Sequence, residues 1–294
     1  MTELIRWSGR ASELAGALTV RRVLPAAARR AVGPFVFFDH FGPVTLPAGA
    51  DSDVGAHPHI GLATVTYLFE GSFLHRDSLG TVQAITPGAI NWMTAGRGIA
   101  HSERVTDAER GLARRLHGLQ LWVALPPALE ETEPAFQHVA DSDIPAFTDP
   151  NGVQVRVLVG AAFGHTSPVS TASPTLYLDV QLPPGATWTL PALAPELAAY
   201  SPTDSLHIDD QPVSAQEMVL LPAGTSVTVR AGDAGARLVV IGGAPLEQPV
   251  RMWWNFVATD RNRIAAAAAR WEQGDFPVIP GESVRIPASP QSAA

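Results

Sequence analysis

Two short motifs, His57-Pro58-His59 and His101-Ser102-Glu103, together contain the donor atoms for a metal ion. In a β-strand, residues i and i+2 project from the same face, so the outer members of each motif point the same way. If the two strands are neighbours, three imidazoles and one carboxylate converge on one point. This donor set suits a divalent transition metal, such as iron, nickel, copper, manganese or zinc, better than calcium or magnesium.

The residues between the two motifs predict strands and tight turns. Each motif alone is weak evidence of metal binding, because histidine pairs occur on strand faces and in turns by chance. Pro58 disfavours a helix at the first motif, and residues 64–69 are β-branched and aromatic. Further strands are predicted over 73–76, 82–85 and 90–93, with turns between them. Such a meander brings distant strand segments side by side in a barrel, which strengthens the case for one shared site.

The sequence around these motifs has a longer pattern. Its parts are His57-Pro58-His59, residues 64–67 (TVTY), 70–71 (EG), 75–80 (HRDSLG), 87–88 (PG) and the run WMTAGRGIAHSE over 92–103. This pattern resembles the pirin family. The resemblance continues through 117–123, 174–179 and 242–246, so it covers nearly the whole chain.

The resemblance implies a fold and a ligand set. Pirins are bicupins, with two small β-barrels in one chain and metal in the N-terminal barrel. We therefore expect an all-β protein of two tandem cupin (jelly-roll-like) β-barrels with a short C-terminal helix. The ligands of the family fall on the four residues that spacing already selects, which are His57, His59, His101 and Glu103.

The chain departs from the family pattern at two positions. Many pirins and other cupins have an arginine directly after the second histidine and a glutamate a few residues later, where this chain has Ile60 and Ala63. We expect Glu103 to supply the acidic donor in the absence of that glutamate. Ile60 and Leu62 are apolar where a charged group could steer a substrate, so the departure leaves the polarity of the pocket open.

The predicted domain organisation follows the strand pattern. In the second half, strands are predicted over residues 154–159, 175–182, 217–221, 226–230 and 237–241. The predicted parts are an N-terminal metal-binding barrel (1–135), a connection (136–150), a C-terminal barrel without metal ligands (151–245), and an aromatic segment and helix that pack on the barrels (246–294). His165 and His207 have no partner at i+2, so we expect packed or surface roles for them.

The last part of the chain changes character. Residues 251–256 are aromatic and predict a strand. Thr259 and Asp260 predict the N-cap of a helix over residues 261–273, and Gly274 predicts its end.

Composition agrees with an all-β protein. The 294 residues include 26 prolines and 25 glycines, which favours many short strands, and 46% hydrophobic residues suffice for buried cores. The absence of cysteine excludes disulfides, thiolate ligands and thiol redox switches. Residues 1–15 carry scattered charges and no continuous apolar core, so we expect neither a signal peptide nor a membrane span, and a cytoplasmic protein.

The net charge of −8 argues against direct nucleic-acid binding, which normally requires a basic patch. The arginine pairs at 21–22, 29–30 and 114–115 are short and separated, so they are interpreted as solvated surface.

Two further groups of residues lie close in sequence to the candidate metal ligands or on a predicted neighbouring strand. His75, Arg76 and Asp77 are interpreted as a charge cluster beside a turn, whereas either the Gln120 and Trp122 face of a strand or its opposite face is expected to line the pocket.

Four protein ligands on a six-coordinate metal leave two adjacent positions open, which is typical of a reactive site. The resemblance implies a dioxygenase, of the quercetin 2,3-dioxygenase type, that opens a flavonol with dioxygen. Iron(II) is the expected metal, and Glu103 is both ligand and acceptor of the flavonol hydroxyl proton. The alternative is a non-enzymatic, iron-dependent redox sensor or transcriptional co-regulator that acts through a protein partner. No glycine-rich phosphate loop and no G-x-S-x-G motif competes with this site.

Overall fold

β-Strands form most of the structure, a computed structural model that describes residues 3–15 and 18–288. The strands up to residue 139 are β1 (Ile5–Ser8), β2 (Arg10–Ala15), β3 (Leu18–Leu24), β4 (Phe35–Leu46), β5 (Val54–His59), β6 (Leu62–Glu70), β7 (Phe73–Asp77), β8 (Val82–Ile85), β9 (Ile90–Thr94), β10 (Ile99–Arg104), β11 (Arg114–Ala124) and β12 (Ala135–Val139).

The remaining strands are β13 (Ala146–Thr148), β14 (Gln154–Val159), β15 (Ala161–Ala162), β16 (His165–Thr166), β17 (Thr175–Leu182), β18 (Thr187–Leu190), β19 (Glu196–Tyr200), β20 (Leu206–Ile208), β21 (Gln211–Val213), β22 (Glu217–Leu220), β23 (Val227–Ala231), β24 (Ala236–Gly243), β25 (Arg251–Trp253) and β26 (Phe256–Ala258). They are followed by the helix α1 (Arg261–Gln273), and short 3-10 turns occur at Pro127–Leu129 and Asp141–Asp143. The expected all-β fold with a short C-terminal helix is confirmed.

The described residues divide into two compact units, each built from separate stretches of chain. The first, which we call the histidine barrel, comprises the described residues of Ser12–Val20, Phe41–His138 and Leu246–Ala294, and the second barrel comprises the described residues of Met1–Ala11, Arg21–His40 and Val139–Pro245. The predicted connection, residues 136–150, contains β13 and most of β12. The division into four parts expected from the sequence stays a prediction.

Two large sheets carry the strands around the histidine motifs. One has the strand order β12-β9-β6-β11-β4-β3-β2, and the other has the order β5-β10-β7-β8. The strands that carry the two motifs, β5 and β10, are therefore direct neighbours, although β6 to β9 separate them in sequence. Gly71 supports the β6–β7 turn with a φ of 83°, a conformation that favours glycine. The meander predicted from the sequence thus brings the motifs together.

The second barrel repeats this plan. Its sheets have the orders β1-β22-β19-β24-β17-β14-β13 and β18-β23-β20-β21. Alternate residues of β14, β17 and β24 belong to one apolar cluster, because residues two apart on a strand point to the same side of the sheet. His165 stacks on Phe147 with ring centroids 5.0 Å apart, which is a packing role.

The C-terminal segment packs within the histidine barrel. The Asp260 side chain accepts a hydrogen bond from the Asn262 N–H, and Gly274 ends α1 in the left-handed conformation with a φ of 83°, so the predicted caps are confirmed. The buried face of α1 packs with Ile60 and Phe256. Ile60 therefore belongs to this apolar cluster, and this packing accounts for its hydrophobic character. Among the described residues, no helix is long and apolar enough to span a membrane.

Residues 251–256 do not form one strand. They form the hairpin β25–β26, in which Trp254 has a φ of 51°, so the single strand predicted from the aromatic run is wrong. Positive φ is unfavourable for tryptophan and was not signalled by residue type. This turn places the main chain of Asn255 beside the histidine motifs.

Candidate metal centre

Strand register places both motifs on one face of the smaller sheet. His57 lies opposite His101 in the antiparallel pair β5–β10, and Glu103 lies opposite His75 in the pair β10–β7. Directly opposite residues share a sheet face, and so do residues two apart on one strand. A register shift occurs between His101 and Glu103 on the side of β5. The i, i+2 spacing therefore places the outer residues of both motifs on the same sheet face, as expected from the sequence.

The three histidines converge. One potential ligand nitrogen from each of His57, His59 and His101 lies within 4.8 Å of the other two. His59 Nε2 and His101 Nε2 are 3.1 Å apart. Glu103 is not a member of this group of converging donor atoms, so its role as a fourth ligand stays a prediction.

Backbone carbonyls fix the orientation of two of these rings. His57 Nδ1 donates to the Gly55 carbonyl at 2.8 Å, and His59 Nδ1 donates to the Asn255 carbonyl at 2.9 Å. Because a carbonyl oxygen only accepts, each Nδ1 carries the proton and each Nε2 keeps its lone pair. This pattern, with Nδ1–H bonded to an acceptor, is the usual environment of a metal-binding histidine. The donor set therefore fits a single divalent metal ion.

Burial keeps these imidazoles neutral. It lowers the pKa of His57 to about 4, against the smaller opposing effect of the hydrogen bond to Gly55. Burial is also the largest cause of the lowered pKa values of His59 and His101, each of which is only 1% exposed. Neutral imidazoles are the form that binds metals, so the site does not have to lose protons near pH 7.

Glu103 is buried beside a polar pair on the opposite sheet. Its Oε1 accepts a hydrogen bond of 3.3 Å from Thr66 Oγ1, which also lies 2.8 Å from Gln120 Oε1. Burial raises the pKa of Glu103, and the Thr66 hydrogen bond opposes that change. Thr66 and Gln120 are cross-strand neighbours on β6 and β11. Because Thr66 lies directly opposite Gln120, its hydroxyl is close to the side chains of both Gln120 and Glu103.

The face of β11 that carries Gln120 and Trp122 lines the site. Trp122 packs edge-on against His59, with ring centroids 5.1 Å apart. This face therefore contacts the histidine cluster, whereas the expectation that it lines a substrate pocket stays a prediction. On β9, which pairs with β6 so that Asn91 lies opposite Thr66, Asn91 Oδ1 lies 2.7 Å from His138 Nδ1, which extends the polar groups of the same sheet.

His75 and Asp77 form a charge cluster beside the β7–β8 turn, as the sequence predicts, but they are buried next to the histidines, which was not predicted from the sequence. Both lie on β7 and are buried, with exposed fractions of 4% and 0%. His75 Nε2 is 3.0 Å from Asp77 Oδ2, and His75 Nδ1 is 3.4 Å from His101 Nδ1. Their i, i+2 spacing, which matches that of the ligand motifs, was the signal that could have revealed them.

Asp77 is held as a carboxylate. Burial would raise its pKa, but hydrogen bonds from His75 and from the Thr81 N–H outweigh this effect and keep the pKa below its usual value. The His75 ring is stacked on Phe136 at a centroid distance of 4.5 Å and an interplanar angle of 24°. The pair is therefore a fixed part of the site.

Two β-barrels, one of which holds three converging histidines, define the class of bicupin proteins. The model of the family described as Pirin matches residues 17–123, and the model of the Pirin C-terminal cupin domain matches residues 177–277. The chain belongs to the pirin family.

Individual relatives agree with this assignment. The chain is 42% identical over 262 residues to a pirin-like protein of Caulobacter vibrioides, which covers 88% of this chain and 90% of the relative. A crystal structure of quercetin 2,3-dioxygenase from Acinetobacter baumannii is 34% identical, with a TM-score of 0.89 over 99% of this chain and 97% of that one. The bacterial pirin YhhW of Escherichia coli, determined in complex with nickel(II), is 17% identical with a TM-score of 0.65 and covers 83% of this chain and 100% of that one; it supports the fold alone.

Proposed function

We propose that the protein is a metal-dependent dioxygenase that opens the ring of a flavonol such as quercetin with dioxygen. The observation that carries the proposal is the convergence of three neutral histidine side chains, with a buried carboxylate on the same sheet face. The similarity to the quercetin 2,3-dioxygenase of Acinetobacter baumannii supports the choice of substrate.

The residues have separate roles in this proposal. His57, His59 and His101 hold the metal through Nε2, and Glu103 is the fourth ligand. A bound redox-active ion, Fe(II) in our proposal, would supply positions for the flavonol oxygen and dioxygen and would lower the pKa of the flavonol hydroxyl. Glu103 accepts the proton that this hydroxyl loses, because it is the one carboxylate in the proposed donor set and the three imidazoles are assigned to the metal.

The surrounding residues keep these groups in place. Thr66 directs its hydroxyl towards Glu103, and Trp122 covers one edge of His59. The Gly55 and Asn255 carbonyls orient two ligand rings from the main chain. Because donor positions are fixed before substrate binds, little reorganisation is required during the reaction.

The test is oxygen consumption by protein loaded anaerobically with Fe(II). We expect loss of quercetin absorbance and matching uptake of dioxygen. Glu103→Gln, which retains the size of the side chain but is a poor base, should lower the rate by about 10²-fold or more. His207→Gln, on β20 of the second barrel, is the matched control and should retain activity.

Absence of oxygen consumption above the level of Glu103→Ala would contradict the enzyme proposal. If such protein still bound iron, a metal-dependent sensor that acts through a protein partner would become the better hypothesis. Elemental analysis of protein from its native host would test the choice of Fe(II), and zinc alone would contradict it because zinc has no accessible redox change.

A further inference from the structure

Asp77, His75 and His101 form a continuous chain of hydrogen-bonding groups. Asp77 Oδ2 lies 3.0 Å from His75 Nε2, and His75 Nδ1 lies 3.4 Å from His101 Nδ1. We infer that Asp77 and His75 are positioning residues that fix the tautomer of His101, so that its Nε2 lone pair is presented to a metal. The inference rests on the proposed metal centre and adds two residues to it.

The Asp77 carboxylate determines which ring nitrogens of His75 and His101 carry protons. Asp77 Oδ1 accepts the N–H groups of Leu79 at 2.9 Å and Thr81 at 3.0 Å, which directs Oδ2 at His75. A carboxylate only accepts, so the proton of a neutral His75 lies on Nε2 and its Nδ1 is bare. That bare nitrogen accepts the Nδ1 proton of His101. The Nε2 of His101 is then left without a proton.

The hydrogen-bonded series of Asp77, His75 and His101 orients the His101 ring, whereas backbone carbonyls orient the rings of the other two ligands. His57 and His59 hold their Nδ1 protons against the carbonyls of Gly55 and Asn255. His101 instead has an imidazole as its Nδ1 partner, and an imidazole nitrogen can donate or accept. The direction of that bond therefore has to be set by a further group, and Asp77 is the group that meets the far nitrogen of His75.

The reverse order would compete with metal binding. If His75 donated from Nδ1, His101 would carry its proton on Nε2, which lies 3.1 Å from the bare Nε2 of His59. Those two histidines would then form a hydrogen bond across the position that the ion requires. The carboxylate disfavours this state because it would face a bare nitrogen of His75, and stacking on Phe136 restricts rotation of that ring.

Asp77→Asn should move the protons of His75 and His101 to the opposite ring nitrogens, and it changes the shape of the side chain little. The two backbone N–H groups at Oδ1 select the side-chain oxygen of the new amide, so its NH₂ group must donate to His75 Nε2. We expect zinc affinity, measured against a chromophoric chelator, to fall by about 10- to 100-fold. In metal-free protein, long-range ¹⁵N–¹H correlation spectra should show the His101 proton on Nδ1 in the wild type and on Nε2 in the variant.

The matched control is Asp53→Asn. Asp53 also accepts a backbone N–H, from Val105 at 2.7 Å, and lies in the same barrel. The Asp53→Asn substitution should leave the zinc affinity and the His101 tautomer unchanged. His75→Leu retains an apolar contact with Phe136 but removes the acceptor, so it should weaken zinc binding even if Asp77→Asn fails to fold.

A rescue experiment separates proton ordering from simple packing. In His75→Asn, the amide oxygen lies near the former Nδ1 position and can accept from His101 whatever residue occupies position 77. Adding Asp77→Asn to His75→Asn should therefore change the zinc affinity by less than about twofold. A purely structural role of Asp77 predicts that its full penalty persists in this background.

The outcomes are distinct. Wild-type protein that takes up no zinc at this site would overturn both the proposed metal centre and this inference. Wild-type binding with an unchanged affinity and tautomer in Asp77→Asn would overturn the inference alone. Persistence of the Asp77→Asn penalty in the His75→Asn background would do the same.

Discussion

The hydroxyl of Ser102 donates a 2.7 Å hydrogen bond to Oε1 of Glu282, which lies 180 positions later in the sequence. Ser102 is fully buried and stands between His101 and Glu103 on β10, so its side chain points away from the histidine cluster. The same carboxylate accepts hydrogen bonds from Arg104 through both of its oxygens. One C-terminal residue thus holds the outer side of the strand whose inner side carries two candidate ligands.

Glu282→Ala should lower the free energy of unfolding by about 1–3 kcal/mol, because Ser102 would keep a buried hydroxyl without its acceptor. Urea denaturation followed by tryptophan fluorescence measures this change. Glu272→Ala is the control, since Glu272 is exposed on α1. Equal stability of Glu282→Ala and the control would show that the contact contributes nothing.

The contribution of Glu282 should depend on pH in a defined direction. Hydrogen bonds from Arg104 are the largest cause of the lowered pKa of Glu282, so the folded state favours its ionised form. The stabilisation is therefore present above the unfolded-state pKa of about 4.3 and is lost as the pH falls through the lower folded-state value. We expect the difference in unfolding free energy between wild type and Glu282→Gln to shrink below about pH 4. A difference that grows with acidity would contradict this account.

Metal-free protein should lose stability as the pH falls from about 6.5 towards 4. His57 has a folded-state pKa of about 4, lowered chiefly by burial. The unfolded chain binds a proton at about pH 6.5, so between these values the unfolded state takes up protons that the folded state does not. Chelator-treated protein unfolded at several pH values tests this. His57→Gln should show a shallower pH dependence, and an identical slope would count against the assignment.

Zinc should stabilise the wild type but not the ligand variants. A ligand present at 100 times its Kd adds about 2.7 kcal/mol to the free energy of unfolding. His57→Ala, His59→Ala and His101→Ala should each lose most of that increment in thermal denaturation with and without zinc. His207→Ala, in the second barrel, should retain it. An undiminished increment in the three ligand variants would place the zinc elsewhere.

The parts of the site that depend on local spacing were predictable from sequence. The i, i+2 rule placed His57 and His59 on one face of their strand and His101 and Glu103 on one face of theirs, because strand geometry is set by the residues themselves. The helix bounds were also predictable, since Asp260 and Gly274 provide cap chemistry that is local.

The parts of the site that depend on tertiary contacts were not predictable from sequence. The Asn255 carbonyl reaches His59 across 196 positions, and any residue type supplies a carbonyl, so composition gives no signal. The sequence places His75 and Asp77 beside the turn at Ser78 and Gly80 but carries no signal of their burial. Burial depended on the packing of Phe136 and on the pairing of β7 with β10.

The long separation between His59 and Asn255 has a consequence for the timing of biosynthesis. During translation, both histidine motifs leave the ribosome well before the hairpin that contains Asn255, so a nascent chain has the candidate ligands but not the carbonyl that orients His59. Domains generally fold in the order of their synthesis. In this chain the described arrangement of the three imidazoles is complete only once Asn255 has emerged, so the candidate metal centre is assembled late in synthesis.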